Sequence, residues 1–142
     1  MTDTTYSPYR CLPGPLHAIV LAGTVPLFLG GLFSDIAYYQ TYLIQWTNFA
    51  SWLIAGGMLF CGLALLFALI NLLRAPRKSG RATLYFLVLL VTWGLGWVNC
   101  FEHAKDAWAV VPSGLILSVI VTALSAVAAW IGLTNLRSGA PA

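Results

Sequence analysis

Charged side chains are scarce in this sequence of 142 residues, where they make up 8% of the total, whereas about 25% is usual for a soluble domain. So few charges cannot cover the surface of a water-soluble protein. The charges are also unevenly distributed, because four long apolar stretches hold almost none of them: residues 15–37, 49–73, 82–99 and 114–136. The composition therefore excludes a water-soluble domain.

Several chemical motifs are absent as well. The three cysteines, Cys11, Cys61 and Cys100, are an odd number and have no C-x-x-C spacing, which excludes the usual zinc and redox motifs. The sequence has no serine or cysteine nucleophile beside a base, no phosphate-binding glycine loop and no basic segment that leads into a cleavable signal sequence. We expect the first helix to stay in the mature protein, and we do not expect this chain to be an enzyme on its own.

The apolar stretches themselves predict the fold. A hydrocarbon core of about 30 Å needs about 20 apolar residues in a helix, and each stretch comes close to this length or exceeds it. Backbone groups in lipid must be satisfied within their own segment, and these stretches are too uniformly apolar for barrel strands. The sequence predicts an all-α integral membrane protein, a four-transmembrane-helix bundle over residues 15–137, with a short segment 1–14 before it and a tail 138–142 after it.

Basic residues predict the orientation of this bundle. Six of the seven fall on one side of a four-span chain: Arg10, Arg74, Arg77, Lys78, Arg81 and Arg137. By the positive-inside rule, this side and both termini are predicted to be cytoplasmic, and we expect the protein to lie in an inner, cytoplasmic membrane. The connection between the second and third helices carries four of these residues. We interpret it as a topology signal that could also bind anionic lipid head groups, rather than as a nucleic-acid site.

The opposite, outer side holds most of the remaining polar chemistry. Asp35 closes the first apolar stretch, and Glu102, His103 and Asp106 lie together before the fourth. Tyrosine and tryptophan residues around them are typical of an interfacial belt. Ionisable residues at membrane depth are candidates for function, so we predict a functional polar cluster of Asp35, Glu102, His103 and Asp106. Asp35 and His103 could exchange a proton; no ligand spacing indicates a metal site.

His17 is a second candidate site. Two imidazoles in a helix bundle suggest haem b, but His17 lies at the cytoplasmic start of the first helix. Asp35 follows eighteen residues later, about 27 Å along the axis, and His103 belongs to the same level as Asp35. The two imidazoles are therefore predicted at opposite faces, where they cannot ligate one iron unless a second chain supplies the missing ligand.

Short motifs throughout the chain carry a family resemblance. The run P-L-H at residues 15–17, Pro26, F-S-D-I-A-Y at residues 33–38 and A-G-G at residues 55–57 resemble a bacterial family known as the domain of unknown function numbered twenty-two thirty-one. The resemblance implies a four-helix membrane protein, sometimes linked to Rieske-type or periplasmic redox proteins. By resemblance, His17 and Asp35 correspond to the family's recurring histidine and aspartate, while Ala22 replaces a further histidine.

Three functions stay open at this point. The leading hypothesis is a non-catalytic membrane subunit that anchors or docks a membrane or periplasmic partner, of the electron-transfer or respiratory kind, through its outer face. The alternative is a small-molecule, quinone or proton transport component that uses Asp35. The third is a haem- or metal-binding membrane protein. Glycine-rich helix faces also make a homo-oligomer conceivable.

Overall fold

The computed structural model of the protein describes residues 14–75 and 80–137, without the side chains of residues 135–137. The described residues form four α-helices and a short 3-10 helix, and they contain no strand. The four long helices are α1 (Pro15–Thr41), α2 (Ile44–Arg74), α3 (Gly80–His103) and α4 (Ser113–Arg137), and the 3-10 helix covers Ala107–Ala109. All four helices are long and apolar enough to cross a membrane, which confirms the predicted fold class.

The helices extend further than the apolar stretches that predicted them. The apolar stretches leave residues 38–48 between them, but α1 continues to Thr41 and α2 begins at Ile44. Hydropathy marks only the part of a helix inside the hydrocarbon, whereas its backbone hydrogen bonds continue through the membrane interface. Tyr42 ends α1 in the left-handed conformation, with φ of 53°, and its N–H donates to the carbonyl oxygen of Tyr38 at 2.7 Å.

Each helix packs against two neighbours, so the bundle is a square of alternating direction. α1 contacts α2 and α4, and α3 contacts the same two helices from the other side. α1 and α3 therefore stand diagonally across the bundle and run in the same direction. Connections that are short in sequence favour this arrangement of consecutive helices, as in other up-down-up-down bundles.

The surface and the interior of the bundle have the character expected in lipid. Large apolar side chains point outward, and Trp52 and Trp130 are 73% and 75% exposed. Most large side chains in the middle of the interior are apolar, and Leu21, Phe28 and Leu89 are each at most 2% exposed. The buried hydroxyls of Thr24 and Thr92 lie among them and donate to carbonyl oxygens of their own helices. Burial of apolar groups cannot hold helices together in lipid, so close packing has to do so.

Glycines allow this close packing. A Cβ at Gly57 would lie 2.8 Å from two ring carbons of Phe28, and one at Gly96 would collide with the sulfur of Met58. Because α2 supplies Gly57 and Met58, it contacts α1 and α3 closely in the middle of the membrane.

A methyl group at Gly57 tests this packing. We expect Gly57→Ala to lower the free energy of unfolding by about 1–3 kcal/mol, because the buried Phe28 ring has to move. Gly94→Ala is the matched control, since a Cβ there meets nothing within 4 Å, and it should be neutral or slightly stabilising. Unfolding by sodium dodecyl sulfate, followed by circular dichroism, measures both variants. Equal stability of the two proteins would contradict the close contact.

Candidate functional site

Three helices bring polar side chains together at the end of the bundle that was predicted to face outward. His103 on α3 and Asp35 on α1 lie 2.8 Å apart, measured from Nε2 to Oδ1. Ser118 on α4 donates to the other carboxylate oxygen, Oδ2, at 2.5 Å. The side chains of His103 and Asp35 are only 1% and 3% exposed, so this contact is inside the protein.

Helical periodicity explains why these residues meet. Asp35 lies on the buried face of α1 between Gly31 and Tyr38, at spacings of four and three residues. His103 follows Asn99 by one turn on the buried face of α3. The two faces look across the diagonal of the bundle, so an imidazole can reach a carboxylate although α1 and α3 pack mainly against other helices.

The hydrogen bonds of His103 fix where its protons lie. Nδ1 is 2.9 Å from the backbone carbonyl oxygen of Asn99, and a carbonyl oxygen only accepts, so Nδ1 carries a hydrogen. One further proton must then lie between Nε2 and Asp35 Oδ1, either on an imidazolium or on a neutral carboxyl group. Without it, a lone pair on Nε2 would face a carboxylate in an apolar interior. The pair therefore holds one shared proton, and it has no net charge in either form.

Ser118 and Asn99 complete the network, and sequence reasoning missed both of them. The Asn99 amide donates from Nδ2 to Ser118 Oγ at 3.0 Å, while the Ser118 hydroxyl donates to Asp35. Asn99 Oδ1 is buried and accepts no hydrogen bond within the described residues. The sequence held one signal for Ser118. Ser118, Thr122 and Ser125 follow one another at spacings of four and three residues, which places their hydroxyl groups on one buried face of α4.

The other two residues of the predicted outer cluster do not join this network. Glu102 accepts from Lys105 Nζ at 2.5 Å and from Ser113 Oγ at 2.6 Å, so it links the end of α3 to the start of α4. Asp106 is exposed and immediately precedes the 3-10 helix. Across residues 14–75 and 80–137, no three His, Cys, Asp or Glu side chains are grouped so that they could hold a metal ion.

His17 lies at the opposite end of the bundle, where it also has a partner on α3. Its Nε2 is 2.7 Å from the hydroxyl of Tyr85, and its ring stacks on Phe67 with centroids 5.6 Å apart. Its Nδ1 is buried and has no hydrogen-bond partner in the part of the chain that the structure describes. Since His17 and His103 lie at opposite ends, they do not fit a haem shared between them within this chain.

The basic cluster is only partly described. Arg74 ends α2 and Arg81 lies in the first turn of α3, and both are exposed at the same end of the bundle as His17. Arg77 and Lys78 lie outside the described residues. The cytoplasmic assignment of this end stays a prediction.

A double-mutant cycle measures the strength of the buried pair. We expect Asp35→Ala to lower the free energy of unfolding by about 3–5 kcal/mol, because His103 and Ser118 lose their buried partner. The cycle is completed by His103→Ala and by the double variant. The coupling energy between positions 35 and 103 should exceed about 1.5 kcal/mol, well above the average of about 0.6 kcal/mol for interhelical hydrogen bonds in membranes.

Denaturation by sodium dodecyl sulfate in mixed micelles gives these energies. Asp106→Ala serves as the control, since it removes an exposed carboxylate from the same end and should change stability by less than about 0.5 kcal/mol. Additive losses from the two single variants would be incompatible with a shared proton.

The comparisons with known proteins give a single positive result. Residues 13–136 match the profile of DUF2231, a family described as predicted membrane protein, which confirms the resemblance that the short motifs indicated. No curated protein and no solved structure matches the chain.

Proposed function

We propose that this chain, which belongs to the DUF2231 family of membrane proteins, is a component of proton-coupled transport whose proton is held by Asp35 and His103. The observation that carries the proposal is the 2.8 Å contact between these two side chains inside an apolar bundle. Of the sequence hypotheses, the geometry favours the transport alternative, because it makes Asp35 central to a buried network.

The cost of burial supports this choice. Ionisable side chains inside a membrane are expensive, and a pair replaced by packed apolar residues often leaves a protein equally stable or more stable. Ser118, Asn99 or another neutral residue could hold the helices together by hydrogen bonds alone. A titratable pair adds one property that neutral residues lack, which is the ability to accept and release a proton.

The proton can move within the pair without a change in the net charge of the interior. Movement of the proton between His103 Nε2 and Asp35 Oδ1 interconverts an ion pair and a neutral pair, so the net charge inside the bundle does not change. Ser118 donates to Oδ2 and stabilises the carboxylate form, while the Asn99 carbonyl keeps the hydrogen on Nδ1. Together these bonds direct exchange to the Nε2 side of the ring.

Asp35→Asn separates proton transfer from packing. The amide can donate to Nε2 of neutral His103 and accept from Ser118, so the fold should be kept, but the shared proton is removed. In liposomes with a potassium diffusion potential and an internal pH dye, we expect proton flux to fall at least tenfold. Glu102→Gln is the matched control, because it neutralises a carboxylate at the same end that lies outside the network.

Two results would overturn the proposal. One is wild-type protein that moves protons no faster than empty liposomes. The other is an Asp35→Asn variant that folds normally and retains the wild-type flux, since the pair would then be a structural contact only. If Glu102→Gln lost as much flux as Asp35→Asn, the effect would not be specific to Asp35.

The cellular setting is proposed from the sequence. The basic residues near one end of the bundle support an orientation with both termini in the cytoplasm, and the family resemblance supports a bacterial inner membrane. In that orientation the Asp35–His103 pair belongs to the periplasmic side and the His17–Tyr85 pair to the cytoplasmic side.

Docking of a partner protein is a second candidate, favoured by one surface feature. Trp108, in the 3-10 helix, is 75% exposed and stacks on Tyr42 with ring centroids 5.6 Å apart. Exposed aromatic residues on a rigid support are frequent anchors of protein interfaces. The resemblance suggests a membrane or periplasmic partner of the electron-transfer kind.

Truncation of this side chain tests docking. If a partner binds here, Trp108→Ala should reduce recovery of that partner at least tenfold in crosslinked membranes purified in mild detergent. Trp130→Ala is the control, because Trp130 is equally exposed at 75% but lies on the outward surface of α4. Identical recovery of every crosslinked protein from the two variants would argue against docking at Trp108.

A further inference from the structure

A groove between α2 and α3 leads from the outer surface of the bundle to His103. Its volume is about 230 Å³, and six residues line it: Ser51, Ile54, Ala55, Cys100, His103 and Ala104. Both nitrogens of His103 are hydrogen-bonded, Nε2 to Asp35 and Nδ1 to the Asn99 carbonyl, so the groove reaches the ring that shares the proton with Asp35.

The depth of the groove places it at the boundary of the hydrocarbon. The apolar stretch of α3 ends at residue 99, so Cys100 and His103 lie beyond it, and Ala104 follows the end of the helix. On α2, Ser51 is only two residues inside the apolar stretch. Ser51 donates to the Thr47 carbonyl, and its hydroxyl oxygen still has lone pairs to accept a hydrogen bond.

We propose that this groove is filled with water and admits small hydrophilic solutes from the outer aqueous phase as far as His103. The inference rests on the proposed function and deepens it, because the groove is then the path by which the shared proton enters and leaves. We expect access from this side, because the interior toward the opposite end is closely packed and holds the buried side chains of Leu21, Phe28 and Leu89.

A native cysteine reports on the contents of the groove. Cys100 is partly buried in the lining, whereas Cys61 is 1% exposed in the core. A charged methanethiosulfonate reagent does not dissolve in lipid. It reacts with an aqueous thiolate to form a mixed disulfide and release methanesulfinate, so rapid modification of Cys100 requires water at that position.

The experiment compares Cys100 with a cysteine that faces lipid. All proteins carry Cys11→Ser and are reconstituted in nanodiscs. The protein with this substitution alone keeps Cys100 as the test position, and the further substitution Cys100→Ala leaves only Cys61 and gives its background rate. The matched control adds Val98→Cys to Cys100→Ala, because Val98 is 47% exposed on the outward surface of α3 at nearly the same depth. We expect the charged methanethiosulfonate reagent to modify Cys100 at least tenfold faster than the cysteine at position 98, although Cys100 is less exposed.

Each result has one meaning. Slow modification of Cys100 by the charged methanethiosulfonate reagent, with rapid modification by a lipid-soluble maleimide, would show a lipid-filled groove and overturn the inference. Rapid modification of Cys100 supports it, whether or not the protein moves protons. If Cys100 is accessible while the liposome assay shows no Asp35-dependent flux, the groove stands and the proposed transport function fails.

Discussion

A proton must lie between Asp35 and His103, and this requirement ties together one end of the bundle. Because Nδ1 of His103 is committed to the Asn99 carbonyl, Nε2 can face the carboxylate only if a hydrogen separates them. The contact joins α1 to α3 across the diagonal, where there is otherwise little packing. Ser118 extends it to α4, so three helices meet around a single shared hydrogen.

The same diagonal is bridged a second time at the opposite end. Tyr85 follows His17 by 68 residues, and His103 follows Asp35 by the same number. Since α1 and α3 are parallel, equal offsets mean that both bridges lie in one register, eighteen residues or about 27 Å apart. This distance is close to the hydrocarbon thickness of about 30 Å, so both polar pairs can lie near the boundaries of the hydrocarbon at the same time.

Hydropathy and topology were enough to predict the four spans and the common level of Asp35 and His103, because both follow from segment length and helix rise. The rest of the site depends on rotation about each helix axis. Glu102 and His103 are neighbours in sequence, yet a rotation of about 100° per residue directs only His103 inward. The hydroxyl stripe on α4 indicated a buried face but did not single out Ser118, since a serine or threonine hydroxyl in an apolar stretch commonly bonds to its own helix, as Thr92 does to the Val88 carbonyl. Nothing in the sequence distinguished Tyr85 from the other aromatic residues, because its contact with His17 depends on the rotation of two helices.

The apolar layer between the two polar pairs determines what transport would require. In this structure Phe28 and Met58 pack against glycines on neighbouring helices, so the middle of the bundle is closed at van der Waals contact. α2 contributes Gly57 and Met58 to this packing but no residue to the hydrogen bonds of the Asp35–His103 pair, so a displacement of α2 would not break those bonds directly. The groove beside His103 lies along this same helix pair, between α2 and α3. A displacement of α2 would therefore change both the apolar layer and the access to the shared proton, which is the coupling that alternating access demands.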